Sequence, residues 1–158
     1  MELLIQNGPY CTTYSLAMVL NISPGEVHNL IGHKGTKVLW PDLAEPYCYQ
    51  GIHLQECCDV VLALGKTMTV IEAVPMTAPN MCVPPREIFT DEECDERLLR
   101  YMKKYSGVLF GEISLKGGRF GNHAVAWDAA TQKIYDPVGR IFDFPNQLFS
   151  IRQLCIIK

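Results

Sequence analysis

The chain has 158 residues, 48% of them hydrophobic and 20% charged, which fits a single globular domain spanning residues 1–158. Its net charge of −3 comes from interspersed acidic and basic residues without a block of Lys or Arg, so the electrostatic footprint of a nucleic-acid-binding protein is missing. No run approaches the ~20 apolar residues of a membrane helix and no signal peptide is recognisable, so we expect a cytoplasmic protein, in a host or bacterial cytosol, without a membrane span.

The first half of the sequence is predicted to be helical. Apolar residues at helical spacing indicate a helix over Cys11–Leu20. A second helix over residues 23–32 has Ser23 as its N-cap, a proline at its first position and a glutamate that completes a capping box. Residues 33–51 are rich in glycine, proline and aromatic residues and are predicted to form a loop, before a third helix over residues 53–65.

The second half is predicted to contain mainly strands. A β-branched run over residues 67–74 indicates a first strand, and a proline-rich connection over 75–89 follows it. Residues 90–107 form an amphipathic helix pattern with acidic residues in the first turn and a glycine at the end. Further strands are predicted over residues 108–115, 122–128, 133–138, 140–144 and 153–158. Helices followed by an antiparallel sheet predict an α+β domain of two packed layers.

The seven cysteines form an odd set without regular spacing, which indicates reduced thiols in a cytosol. Cys48, His53, Cys57 and Cys58 lie close together in the sequence, and this makes a metal site one interpretation to weigh. The paired CxxC pattern of a structural zinc site is absent from the sequence. We therefore favour packing in the core for these cysteines and expect no metal and no cofactor.

A hairpin in the second half brings a histidine and an aspartate together. If residues 129–132 form its turn, Val125 lies opposite Asp136, and His123 is a diagonal neighbour on the same face at roughly 7–8 Å. An aspartate can reach an imidazole across that distance, provided that the register is kept. The same register pairs Asp128 with Lys133 and Trp127 with Ile134.

Cys11 begins the first predicted helix, where the helix dipole and the unpaired N–H groups favour thiolate over thiol. With it, His123 can take the thiol proton and later protonate a leaving group, while Asp136 holds the imidazole in the required tautomer. Acyl transfer also needs an oxyanion donor. Gln6 lies a few residues before Cys11, where its amide can point to the same space as the Cys11 N–H. Each of these four roles has a candidate residue.

These motifs carry a resemblance to a known family. Gln6 before Cys11 at the head of an apolar helix, the HAVAW strand beginning at His123 and the YDPVG segment around Asp136 resemble the papain-like cysteine peptidases. Within them, the sequence is most similar to the double-glycine leader peptidases of bacteriocin-exporting ABC transporters. The resemblance implies a papain-like α+β fold, with an N-terminal helical layer carrying Cys11 and a C-terminal antiparallel sheet carrying His123 and Asp136.

Two positions depart from the family pattern. Thr12 stands where the family usually has a glycine, and Gln6 is one residue nearer to the nucleophile than usual. Asn7 or backbone N–H groups are therefore alternative oxyanion donors. The transporter domains of the leader peptidases do not follow in this sequence, so we expect a free-standing peptidase.

The function expected from the sequence is hydrolysis of a peptide or isopeptide bond in a peptide or protein substrate through a thioester. Deamidation and acyl transfer use the same thiol and imidazole and remain alternatives. A catalytically silent papain-like module that binds or inhibits a protein partner is the alternative from another class. The other histidines, His28, His33 and His53, have no aspartate similarly placed beside them in the predicted elements, so structural roles are expected for them.

Overall fold

The computed structural model describes residues 1–35, 51–73, 91–114, 120–143 and 149–158. Its helices are α1 (Cys11–Leu20), α2 (Pro24–Ile31), α3 (Leu54–Ala63) and α4 (Asp91–Met102). Its strands are β1 (Met68–Glu72), β2 (Gly107–Ser114), β3 (Phe120–Asp128), β4 (Lys133–Asp136), β5 (Arg140–Asp143) and β6 (Phe149–Ile157). The predicted α+β class is confirmed. The predicted connection over 75–89 and most of the predicted loop over 33–51 lie outside the described residues.

The first two helices begin and end as their sequences predict. Asn21 closes α1 in the left-handed region, at φ 56°. The capping box of α2 is formed, since the Glu26 N–H donates to the Ser23 hydroxyl and the Ser23 N–H donates to the Glu26 carboxylate, at 3.2 and 2.8 Å. These short-range signals hold because each depends only on residues within one helical turn.

The six strands form one antiparallel sheet in the order β1-β6-β2-β3-β4-β5. The last strand, β6, therefore lies between β1 and β2, and it begins four residues before its predicted start. A bulge explains the difference: Phe110 pairs with Gln153 but Gly111 pairs with Ile151, which leaves Arg152 as an extra residue. The extra residue breaks the alternation of apolar and polar side chains by which a strand is recognised.

Among the described residues, the two largest clusters of buried apolar side chains cover opposite faces of the sheet. Val108 belongs to one and Leu109 to the other, because successive side chains of a strand point to opposite faces. Helix residues complete the clusters: Leu16, Val27 and Val60 from α1 to α3 in the first, and Leu98 and Met102 from α4 in the second. The prediction of two layers is therefore wrong. Central strands that are apolar on both faces need cover on both, and α4 supplies a third layer.

The helix predicted over 90–107 ends earlier, at Met102, and Gly107 begins β2 instead of terminating the helix. A side chain at Gly107 would collide with the carbonyl oxygen of Cys155 on β6. The absence of a side chain at Gly107 therefore allows β2 and β6 to approach this closely.

Two glycines bring distant parts of the chain together near α2 and α3. The Gly51 N–H donates to the Gly35 carbonyl at 2.9 Å. A side chain at Gly35, whose φ is 72°, would collide with the carbonyl group of Gly51. Residues 35 and 51, which border a segment outside the described residues, therefore lie next to each other.

The hairpin of β3 and β4 has the predicted register. Trp127 pairs with Ile134 and Asp128 pairs with Lys133. Helix α1 packs along β3, and this places the first residue of the helix beside the part of β3 that precedes the hairpin.

None of the helices in the described ranges has the length and apolar character that crossing a membrane requires.

Candidate active site

The thiol of Cys11 lies between the first turn of α1 and strand β3. Tyr10 is the N-cap of the helix, and its side chain makes no capping hydrogen bond. The sulfur lies beside hydrogen-bond donors, since the backbone N–H groups of Thr12 and Ala124 and the side chain of His123 each act to lower the pKa of the thiol. The half-buried thiol thus has partners from its own helix and from the sheet.

His123 and Asp136 form a buried pair, each with a relative exposure of 7%. The imidazole Nε2 lies 2.8 Å from Oδ1 of Asp136. The same carboxylate oxygen accepts the Val138 N–H at 3.1 Å, so the turn after β4 holds the carboxylate in place. Because Nε2 is engaged by Asp136, Nδ1 is the ring nitrogen available to Cys11. The structure therefore brings Cys11, His123 and Asp136 into one chain of contacts.

The charges within this chain of contacts favour an ion pair. Burial raises the pKa of the Cys11 thiol, but the hydrogen bond and charge of His123 and the backbone N–H groups outweigh burial and leave the pKa below its ordinary 9.0. Burial lowers the pKa of His123, yet the hydrogen bonds and charges of Asp136 and Cys11 raise it to about 9. Since the thiol pKa falls and the imidazole pKa rises, a thiolate beside an imidazolium is the favoured state.

Gln6 is held beside the same turn as Asp136. Its N–H donates to the carbonyl of Pro137 at 2.7 Å, and its side chain lines a cleft together with Cys11 and His123. The side-chain oxygen is buried without a hydrogen-bond partner among the described residues. The neighbouring Asn7 is exposed. Of the two side chains considered as oxyanion donors, Gln6 is the one that lies at the cleft.

The cleft has a volume of about 900 Å³ and lies between the helices α1 and α3 and the sheet. Beside the thiol its wall is formed by Phe110, Gly111 and Asn122. Polar side chains from β1 and β6 form the far end: Glu72, Arg152 and Gln153. The cleft extends from β3 across β2 and β6 to β1, which is three spacings of about 4.8 Å between neighbouring strands. This length accommodates several residues of an extended peptide.

The other described histidines have different surroundings. His33 lies 2.5 Å from a carboxylate oxygen of Glu56 and accepts the Gly35 N–H, so it ties the exit of α2 to the start of α3. This partner is a glutamate on another helix, whereas the sequence pattern predicts only aspartate partners within neighbouring elements. His28 packs edge-on against Tyr10, with ring centroids 5.4 Å apart. These contacts are consistent with the structural roles that the sequence predicts.

The candidate metal ligands are not brought together in the part of the chain that the structure describes. Among those residues, no group of three or more His, Cys, Asp or Glu side chains is placed to hold an ion. Cys57 is buried in the first core cluster, and burial raises the pKa of its thiol to about 12. Core packing of Cys57 is therefore confirmed, while Cys48 lies outside the described residues.

The residue types at Cys11, His123 and Asp136 suit nucleophilic attack coupled to proton transfer. No protein-family model matches the chain, and no curated protein matches it. The contacts within the site are therefore the basis for a functional proposal.

Asp136→Asn is expected to lower the pKa of His123 from about 9 toward its ordinary 6.5, because the carboxylate charge that favours the imidazolium is removed. An NMR titration of labelled histidine side chains measures this change. In the wild type, the stabilisation from the raised pKa is complete below pH 6.5 and is lost as pH rises through about 9. The stability difference between wild type and variant should follow the same course.

Asp143→Asn, at an exposed aspartate of the neighbouring strand β5, is the control for this titration. It should leave the His123 titration unchanged. A His123 pKa that is the same in Asp136→Asn and in the wild type would contradict the assigned contact.

Proposed function

We propose that the protein is a cysteine peptidase that hydrolyses a peptide or isopeptide bond, with Cys11 as the nucleophile. The observation that carries the proposal is the chain of contacts from the Cys11 thiol to the His123 imidazole and on to the Asp136 carboxylate. A domain that only binds a partner has no physical need for a thiol of lowered pKa beside a buried, carboxylate-bound imidazole.

In the first step, the Cys11 thiolate attacks the substrate carbonyl carbon, so that a C–S bond forms and the carbonyl electron pair moves to oxygen. The His123 imidazolium donates its proton to the leaving amine as the C–N bond breaks, and a thioester remains on Cys11. In the second step, neutral His123 takes a proton from water, which attacks the thioester. The C–S bond breaks, the acid is released and the thiolate–imidazolium pair is restored.

The negative oxygen that develops in each step needs hydrogen-bond donors. The Cys11 N–H belongs to the first turn of α1, where N–H groups have no partner within the helix. Gln6 lies at the same cleft, and the NH2 group of its side-chain amide is a hydrogen-bond donor. We assign these two groups as the oxyanion donors of the proposed reaction.

We also propose that the α+β fold is papain-like. Its support is that helix α1 carries Cys11 while neighbouring strands β3 and β4 carry His123 and Asp136. Substrates are proposed to be peptides or proteins that bind in extended form along the cleft. The resemblance to double-glycine leader peptidases supports the proposed chemistry of the site.

Incubation with a peptide library in water enriched in ¹⁸O tests the proposal. We expect new peptide termini that each carry ¹⁸O in the carboxylate, because water resolves the thioester. The control is the same protein after iodoacetamide has modified Cys11, which should produce none. Products joined to an added amine would instead indicate acyl transfer, and glutamine converted to glutamate without chain cleavage would indicate deamidation. Absence of all three products would favour the silent binding module.

A further inference from the structure

Ser15 makes a buried hydrogen bond between helix α1 and strand β3. Its hydroxyl donates to the Ala124 carbonyl at 3.0 Å, and its relative exposure is 0%. Ser15 lies four residues after Cys11, which places the two side chains on the same side of the helix, one turn apart. The helix is therefore attached to β3 by a directional contact directly behind the thiol.

The same residue of β3 contacts the thiol. The Ala124 carbonyl accepts the Ser15 hydroxyl, while the N–H of the same residue favours the Cys11 thiolate. His123, the preceding residue of the strand, supplies the imidazole. Two of the three groups that stabilise the thiolate thus come from neighbouring positions of β3, and their distance from the sulfur depends on where α1 lies along the strand.

The remaining contacts between α1 and the sheet are largely apolar. Leu16 and Leu20 pack in the first core cluster with Val108 and Ala124. Apolar packing is not directional, so it favours burial without fixing the position of the helix along the strand. A hydrogen bond depends on the distance and angle between donor and acceptor and therefore fixes that position more sharply.

We propose that Ser15 is a positioning residue of the site: its hydrogen bond holds the backbone of β3 against α1 so that His123 and the Ala124 N–H both face the Cys11 sulfur. The role rests on the proposed peptidase function, to which it adds a residue that does not touch the substrate.

The test compares Ser15→Ala with Thr13→Val. Both residues are in α1 with 0% exposure, but the Thr13 hydroxyl has no hydrogen-bond partner among the described residues. Valine keeps the shape of threonine while it removes the hydroxyl. The matched pair therefore separates loss of the α1–β3 hydrogen bond from loss of a buried hydroxyl on this helix.

The first readout is the pH dependence of Cys11 alkylation by iodoacetamide, followed by mass spectrometry at that residue. Ser15→Ala is expected to move the midpoint upward, since the donors from β3 shift away from the sulfur, whereas Thr13→Val keeps the wild-type midpoint. On any substrate found, Ser15→Ala should lower kcat by about tenfold or more with little change in KM, because a small misplacement of reacting groups costs rate.

An alkylation midpoint in Ser15→Ala equal to that of the wild type would overturn the proposal and make Ser15 a structural residue only. Denaturant unfolding of Ser15→Ala and Thr13→Val shows whether each variant is folded. If Ser15→Ala does not fold, Ser15→Cys, which keeps a weaker donor of similar size, takes its place with the same expected direction. Because alkylation needs no substrate, a midpoint shift without any hydrolysis would contradict the peptidase proposal but leave the role of Ser15 intact.

Discussion

Cys11→Ala is expected to abolish hydrolysis by the protein, with a loss of more than about ten-thousandfold in kcat, because Cys11 is the only thiol among the described residues that line the cleft. The fold should be retained. Cys11 is only half-buried at the first turn of α1, and the packed residues of that helix follow it from Thr13 onward. The measurement is turnover of a cleaved library peptide by wild type and variant, with the unfolding midpoint of each determined in parallel.

Cys58→Ala is the matched control, since Cys58 is another free and partly exposed thiol. We expect it to retain wild-type turnover. Full activity in Cys11→Ala would show that the mechanism is wrong. Loss of activity in both variants would point to a requirement for reduced thiols in general rather than for Cys11.

The second large effect is expected at His123. Its removal takes away the hydrogen bond and the charge that lower the Cys11 pKa, while the effect of burial, which raises it, persists. In His123→Ala the alkylation midpoint of Cys11 should therefore rise relative to the wild type. Hydrolysis should fall by about a hundredfold to ten-thousandfold, the usual contribution of a positioned acid and base.

His33→Ala provides a control with matched chemistry, because His33 also pairs with a carboxylate but lies between α2 and α3. The pH profile of Cys11 alkylation in His33→Ala should match that of the wild type. An ordinary thiol midpoint in the wild type that His123→Ala leaves unchanged would favour the binding module over the enzyme.

The local features of the fold could be predicted from the sequence. The capping box of α2, the end of α1 at Asn21 and the register that pairs Trp127 with Ile134 each depend on a few neighbouring residues. The position of β6 between β1 and β2 could not be predicted, because such pairing joins residues far apart in the chain. Nor could the start of β6, since the bulge at Arg152 interrupts its alternation.

The candidate site also has features that could be predicted from the sequence and features that could not. The contact between His123 and Asp136 could be predicted because it follows from the register of one hairpin, and the position of Cys11 at a helix start follows from the apolar pattern after it. The contribution of the Ala124 N–H could not, since backbone groups leave no trace in residue types. In the sequence, Ser15 is one small residue in an apolar helix, and its hydrogen bond to β3 is evident only in the structure.

The contact between Gly35 and Gly51 joins the end of α2 to the start of α3 at the edge of the cleft. An alanine at Gly35 would need a positive φ, and its Cβ would meet the Gly51 carbonyl. This side of the cleft is therefore held by a pair of glycine backbones. Since both glycines line the cleft, a ligand that reaches them meets main-chain atoms rather than side chains.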